Sequence, residues 1–375
     1  MAIEPDARAW VEVSLDAVRA NYDTVRRRAE GARVLPMVKA DAYGVGAVRV
    51  ARALEPLDPW GYGVATAREG AELREAGVTR PILVVTPLPP ADVDVAAGAR
   101  LTASISSVEG LTAWEAAAER VGEPLDFHVE VDTGMGRCGF DWRDVGSWSE
   151  RLERTSERVR WTGVFMHFHS ADAVDTRTAA LQWERFQDTL VQLPVSRERL
   201  LVHAANSAAA VRWKEYAADM VRPGIFLYGG DPAPEVDASP SPEPVVSVRA
   251  RVVLAREVPA GSTVGYGGTH VAAATERWGT LAIGYGDGLP RALGNRGEAL
   301  VNGRRIGIIG RVSMDLTTVD LSELPGVEAG TVATLLGADG ARQITLEEVA
   351  AHADTIGYEV LTRLGARLPR IERNA

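Results

Sequence analysis

The sequence predicts an α/β fold, a (β/α)8 barrel followed by a mostly β second domain, and three observations carry that expectation. Up to about residue 230, short apolar runs alternate with segments of helical periodicity. The stretch DPAPEVDASPSPEP (231–244) then breaks the pattern with prolines and acidic residues, as a linker does. Beyond it, strict alternation and a hairpin signal take over. A chain of 375 residues also exceeds what one core usually supports, so a barrel over 1–238 and a β domain over 239–375 are expected.

The runs that read as strands are VLPMV (34–38), YGVAT (62–66), ILVVT (82–86), LTASI (101–105), FHVEV (127–131), GVFMHF (163–168) and LLVHA (200–204). MVRPGIFLYG (220–229) closes the series. Near-continuous apolar runs belong to strands buried on both faces, hence to a parallel sheet under helices. About eight such units favour a closed barrel over an open sheet. The helix in LDAVRANYDTV starts behind Ser14 as N-cap and repeats Leu15, Val18, Tyr22 and Val25 along one face. In the second domain VSVRARV (246–252) alternates, Asn302-Gly303 marks a two-residue hairpin turn, and a single late helix begins at a capping box, Thr345 to Glu348.

Composition narrows the function classes. Hydrophobic residues at 46% and charged residues at 25% describe an ordinary globular protein. The net charge of −10 is spread along the chain without a basic block, which excludes nucleic acid and anionic membranes as partners. No apolar run approaches the roughly 18 residues of a membrane helix, and the start MAIEPDARAW lacks the basic and apolar regions of a signal peptide. Cys138 is the only cysteine, so no intramolecular disulfide forms and a reducing, cytoplasmic location is expected.

Of the 41 basic residues only Lys39 and Lys214 are lysines. A retained lysine in an arginine-rich chain points to chemistry that a permanently protonated guanidinium cannot do, such as Schiff-base formation. Active groups of a barrel gather where strands end, which singles out Lys39, Arg137, His167, Asn206, Ser207 and Arg222. An isolated strand-end lysine more often snorkels to water, but Lys39 is followed by the turn ADAYG, which places Tyr43 beside it. Desolvation there lowers an amine pKa. The glycine-rich DTGMGRCGF (132–140) is a weak phosphate signal and reads equally as a tight turn, with Arg137 able to grip a carboxylate or phenolate. Ser207 reads most simply as an N-cap, although a helix N-terminus also receives phosphate. His167 and His169 lack a ligand pattern, so no metal is expected and His169 is a loop or packing residue.

Taken together, VKADAYGVGA, DTGMGR, HAANSAA, VRPGIFLYG, VGYGGTH, IGYGDG, GRVSMD and TIGYEVLTRLGARLPR resemble, in order and at similar spacings, the alanine racemase family along nearly the whole chain. The resemblance implies pyridoxal 5'-phosphate as cofactor, alanine as substrate and a head-to-tail homodimer with shared active sites. It makes Lys39 the residue that holds the cofactor as a Schiff base and acts as one base, with Tyr266 of the partner subunit as the opposing base. Tyr43, Ser207, Gly224, Ile225 and Tyr358 would hold the phosphate beside Asn206, Arg222 would meet the pyridine nitrogen, and Arg137 the phenolic oxygen and the substrate carboxylate. The Met314 amide would help bind that carboxylate, and His167 would link Tyr266 to Arg222. Asp172, Tyr285, Arg291 and Arg311 would line the entrance.

Two positions depart from the family. Glu130 stands where many relatives have a lysine, often carbamylated, so its carboxylate is expected to orient Arg137 directly; Ser313 replaces a common cysteine. The nearest alternative is a racemase of this family acting on serine or a broader range of amino acids. A decarboxylase of the same cofactor fold would carry an EPGR-like glutamate where this chain has VRPG. A non-catalytic cofactor-binding barrel would lack the second domain that carries Tyr266 and Met314.

Overall fold

The computed structural model describes residues 6–236 and 240–373, so the expected junction at 238/239 lies outside the described residues. Ser14 Oγ accepts the Ala17 N–H and starts the helix Leu15–Arg28, which buries Leu15, Val18, Tyr22 and Val25. The barrel strands are Arg33–Val34, Tyr62–Val64, Ile82–Pro87, Thr102–Ile105, Leu125–Asp132, Val159–Phe165, Leu201–His203 and Met220–Val221. They pair in parallel in chain order, and the last pairs back with the first. The ring closes through Val38 N–H to Gly63 O at 2.8 Å and Gly63 N–H to Pro36 O at 2.9 Å.

Three strands differ from expectation for local reasons. Pro36 donates no hydrogen bond, so VLPMV forms a ladder only at Arg33–Val34, against Met220–Val221, and touches its other neighbour, Tyr62–Val64, through a single Met37–Gly63 bridge. In MVRPGIFLYG the strand stops at Val221 before Pro223, and Ile225–Tyr228 coil into a 3-10 turn. The run expected at 163–168 lies instead at Val159–Phe165, which leaves Met166 and His167 beyond the ladder. In each case the chain leaves the sheet where its side chains begin to face the barrel mouth.

In the second domain six antiparallel strands close into a ring, because Val246–Val258 pairs with Glu276–Leu281 on one side and Val332–Asp339 on the other. The alternation of VSVRARV is seen in its burial, with Val246, Val248, Ala250 and Val252 inside. Asn302 (φ 50°) and Gly303 (φ 72°) form the hairpin turn between Glu298–Val301 and Arg304–Ile309. The strand Ala9–Val13 comes from the start of the chain yet belongs to this sheet, antiparallel to Val246–Ala250 and parallel to Arg370–Glu372. The capping box does start Leu346–His352, but a second helix follows, Gly357–Thr362. Asp354, at φ 54°, breaks the first and redirects the chain, and the second carries Tyr358 to the barrel mouth. Among the described residues no helix is long and apolar enough to cross a membrane.

Close backbone packing fixes the loop that carries Tyr285. Gly288 has φ +102°, and a Cβ there would lie 2.0 Å from the Arg363 carbonyl oxygen. Gly340, at φ +60°, faces open space. Gly288→Ala is therefore expected to cost about 3 kcal/mol of unfolding free energy, strain and clash together, and Gly340→Ala about 1 kcal/mol from strain alone. Urea unfolding of both variants checks this, and equal losses would show that the close approach is unimportant.

Candidate active site

Lys39 stands at the C-terminal end of the first barrel strand and begins an unusual turn. Ala40, Asp41, Ala42 and Tyr43 all have φ between 52° and 57°, a left-handed run without a glycine until Gly44. Each such residue costs about 1–2 kcal/mol, so the run needs outside support. Glu69 supplies it: Oε1 accepts the Ala40 N–H at 2.6 Å, while Oε2 accepts Ala65 and Thr66 N–H at 2.8 and 3.0 Å. Asp41 Oδ1 accepts the Ala47 N–H at 2.7 Å. Glu69 is a positioning residue the sequence reading passed over. The signal was there, since Thr66 and Glu69 form a capping box right after the strand Tyr62–Val64.

The turn delivers Tyr43 against Tyr228, with ring centroids 4.8 Å apart, and near Tyr358 at 6.2 Å. Only glycine fits at 224, because a Cβ there would lie 2.2 Å from the Tyr43 hydroxyl. Around these residues opens a cavity of about 430 Å³, lined by Lys39, Tyr43, Glu130, Arg137, His167, Asn206, Ser207, Arg222, Gly224, Ile225 and Tyr358. Cavities of about 420 and 590 Å³ lie elsewhere, but neither contains a lysine or a histidine, so chemistry rather than size picks the site.

Two cations shape its charge. Arg222 is 5% exposed and donates to His203 Nδ1 at 2.9 Å, Met166 O at 2.8 Å and Ala204 O at 3.1 Å, with His167 Nδ1 at 3.4 Å. Burial lowers its pKa to about 10, which still leaves a cation at neutral pH. Burial, then Arg137 and Arg222, lower the Lys39 ammonium below its usual 10.5, while Glu69 pulls the other way. Burial and the same cations hold His167 near 3, so it is neutral.

At the opposite end of the cavity the groups are neutral donors. Asn206, not Ser207, caps the helix Ser207–Arg212, accepting the Ala209 N–H at 3.1 Å. That frees Ser207, whose Oγ accepts the Gly224 N–H at 2.7 Å and keeps its own proton to donate. Ile225 opens its 3-10 turn, so its N–H has no partner within that turn. Among the described residues no hydrogen bond reaches the Tyr43 or Tyr358 hydroxyl. Burial and then Asp172 push the Tyr358 pKa up to about 12, so it remains a donor; Asp172 itself does not line the cavity. Converging hydroxyls and amides without a cation suit a phosphate whose charge is shared among many hydrogen bonds.

One expectation changes, and one of two open readings is favoured. Glu130 is buried but its recorded bond is from Ser106 Oγ at 3.0 Å; among the described residues it makes no ion pair with Arg137, and its charge reaches Arg222 and Arg137 only through space. The glycine-rich turn is structural, with Gly134 and Gly136 N–H donating to Asp132 at 2.9 and 3.1 Å, so they are not free for phosphate. Tyr266, Tyr285, Arg291, Arg311 and Met314 do not line the cavity; all are exposed on the second domain, Tyr266 at 69%. The Tyr285 and Gly286 N–H groups bind the Ser313 and Met314 carbonyls, and Arg311 packs beside Gly267, so most of this set forms one patch. Among the described residues no group of three His, Cys, Asp or Glu side chains could hold a metal.

Comparison with known proteins agrees across the chain. The family model described as alanine racemase, N-terminal domain, matches residues 13–232, and that described as alanine racemase, C-terminal domain, matches 245–372. The alanine racemase of Carboxydothermus hydrogenoformans is 41% identical over 96% of this chain and 98% of its own. The crystal structure of alanine racemase from Streptomyces lavendulae superposes with a TM-score of 0.91 at 35% identity, covering 99% of this chain and 98% of that one. The alanine racemase of Bartonella henselae, solved with covalently bound pyridoxal phosphate, superposes at 0.88 with 29% identity, over 98% of this chain and all of that one.

The lowered ammonium pKa has a sign that can be tested. A lysine whose folded pKa lies below its unfolded value binds its proton less well when folded, so it opposes folding at neutral pH. That opposition fades as pH rises toward 10.5. In the cofactor-free protein Lys39→Met is expected to raise the thermal midpoint at pH 7, with the gain shrinking toward pH 10. A midpoint that falls at pH 7, or a gain independent of pH, would show that the ammonium is not strained.

Proposed function

The chain belongs to the alanine racemase family, isomerases that interconvert L- and D-alanine on pyridoxal phosphate, and we propose that Lys39 and Tyr266 of the partner subunit are its two opposing bases. The observation that carries the site assignment is the cavity itself: one lysine with a suppressed ammonium, a buried arginine at one end and unpartnered hydroxyls at the other. Those groups fit the cofactor's three anchoring needs. Lys39 would bond to its aldehyde carbon, Tyr43, Ser207, Gly224, Ile225 and Tyr358, with Asn206 beside them, would surround its phosphate, and Arg222 would face its ring nitrogen. When bound, pyridoxal phosphate supplies the electron sink that lets an α-proton leave.

The rest of the work falls to the chain's own residues. Racemisation removes a proton from one face of the α-carbon and returns one to the other, so two groups must flank it. With its ammonium disfavoured by burial and by Arg137, Lys39 Nζ would accept a proton on its face. Arg222, with a pKa near 10, would donate a hydrogen bond but not its proton, and so would hold the ring nitrogen without protonating it. Neutral His167 lines the cavity with its Nδ1 3.4 Å from Arg222, and would link the partner's Tyr266 to the guanidinium. Arg137, without an ion pair among the described residues, is left to take the substrate carboxylate. The Met314 amide would add a second contact to it, with Asp172, Tyr285, Arg291 and Arg311 at the entrance. Cys138 is unpaired, which suits the reducing cytoplasm we assign to the enzyme.

A homodimer follows from the same reading. Tyr266 cannot serve the cavity of its own chain from an exposed position outside it, whereas a head-to-tail partner would bring the patch of Tyr266, Arg311, Tyr285 and Met314 to the barrel mouth. Lys39→Ala and Tyr266→Phe chains should each be inactive alone. Mixed at random they should recover about a quarter of wild-type D-alanine formation from L-alanine, since half the dimers are mixed and each has one intact site of two. Purified mixed dimers without activity would refute the shared site.

A further inference from the structure

Two buried histidines stand behind Arg222 and outside the cavity. His203 is 0% and His128 1% exposed. Arg222 NH1 lies 2.9 Å from His203 Nδ1, and His203 Nε2 lies 2.8 Å from His128 Nδ1. The chemistry of the donors fixes the direction of this chain. A guanidinium has no acceptor, so His203 Nδ1 must be bare and its proton must sit on Nε2. That N–H then donates to His128 Nδ1, which must also be bare. Each ring is therefore a neutral tautomer whose acceptor side faces the arginine, and burial together with Arg222 keeps both far from protonation, His128 near 3.

The surroundings fix the rings as firmly as the bonds do. Phe165 stacks on His203 with centroids 4.9 Å apart and planes within 12°, and Trp60 packs 6.0 Å from His128. Gly163 makes room for the second ring, since a Cβ there would lie 2.7 Å from His128 Cγ. An imidazole that donates through one nitrogen becomes a stronger acceptor at the other, so His128 strengthens the grip of His203 on Arg222. Without an acceptor at 128, the His203 Nε2–H that Arg222 enforces is left buried and unpaired, and the ring loses both its hold on that side and its strength as an acceptor for Arg222.

We propose that His128, acting through His203, is a positioning residue that sets the place of Arg222 in the cavity. The proposal rests on the functional reading above, in which Arg222 faces the cofactor's ring nitrogen without protonating it. Because that contact keeps the electron sink weak, a displaced Arg222 should let the substrate's amino group stay on the cofactor more often, releasing pyruvate in place of alanine.

The test has two parts. In cofactor-free wild-type protein with ¹⁵N-labelled histidine, NMR should show both His203 and His128 protonated at Nε2 and bare at Nδ1. A proton on Nδ1 of either ring overturns the relay, whatever the cofactor does. In the holoenzyme, pyruvate released per D-alanine formed from L-alanine should rise about tenfold in His128→Phe, which keeps a ring but removes the acceptor. It should stay near the wild-type ratio in His128→Asn, whose Oδ1 stands where Nδ1 stood. Equal rises in both variants would reduce His128 to a packing residue and overturn the proposal. The expected tautomers with no change in either variant would instead mean that Arg222 does not face the cofactor ring, which overturns the functional reading of Arg222 and leaves the relay standing.

Discussion

Burying a guanidinium is costly unless its N–H groups find acceptors, and Arg222 is buried at the centre of a barrel. Its acceptors are carbonyls at Met166 and Ala204 and the imidazole of His203, all at or just past the end of a strand. Strands that end at Phe165 and His203 leave those oxygens and that ring free to turn inward. Burial above all, then Arg137 and to a lesser degree the cation so held, make an ammonium at Lys39 unfavourable. One buried charge thus links where strands stop, which tautomer the histidines adopt and how readily the lysine gives up its proton.

Lys39 brings a second constraint of its own. Four consecutive left-handed residues are strained, and the strain is tolerated because Glu69, Asp41 and Gly44 tie the turn to the next strand and helix. Rigidity is the return: Tyr43 is locked against Tyr228 and leaves room at 224 for a glycine alone. Lysine and tyrosine then reach the same cavity from one short turn, which is how strained backbone tends to be used at functional sites.

Much of this was legible in the sequence. The eight apolar runs marked all eight barrel strands, because strands buried on both faces have little choice of composition. Ser14, Thr345 and Asn302-Gly303 announced their caps and turn through local hydrogen bonding that needs no tertiary context. The misses arose where tertiary contacts decide. Nothing local tells that Ala9–Val13 crosses to the second sheet, or that Asp354 splits one late helix into two. At the site, motif spacing found the groups that line the cavity, but not Glu69 and His128, which act through other residues and carry no chemistry of their own. Glu130 was expected to orient Arg137 because it stands where relatives carry an often carbamylated lysine, whereas the fold turns it to Ser106.

The second domain completes the picture by what it leaves uncovered. Tyr266, Tyr285, Arg311 and Met314 lie exposed on it and do not line the cavity of their own chain. The proposed chemistry depends first on Lys39. Borohydride reduction of the purified holoenzyme, followed by peptide mapping, should place pyridoxyl label on Lys39 alone. Label on Lys214, or on neither lysine, would contradict it.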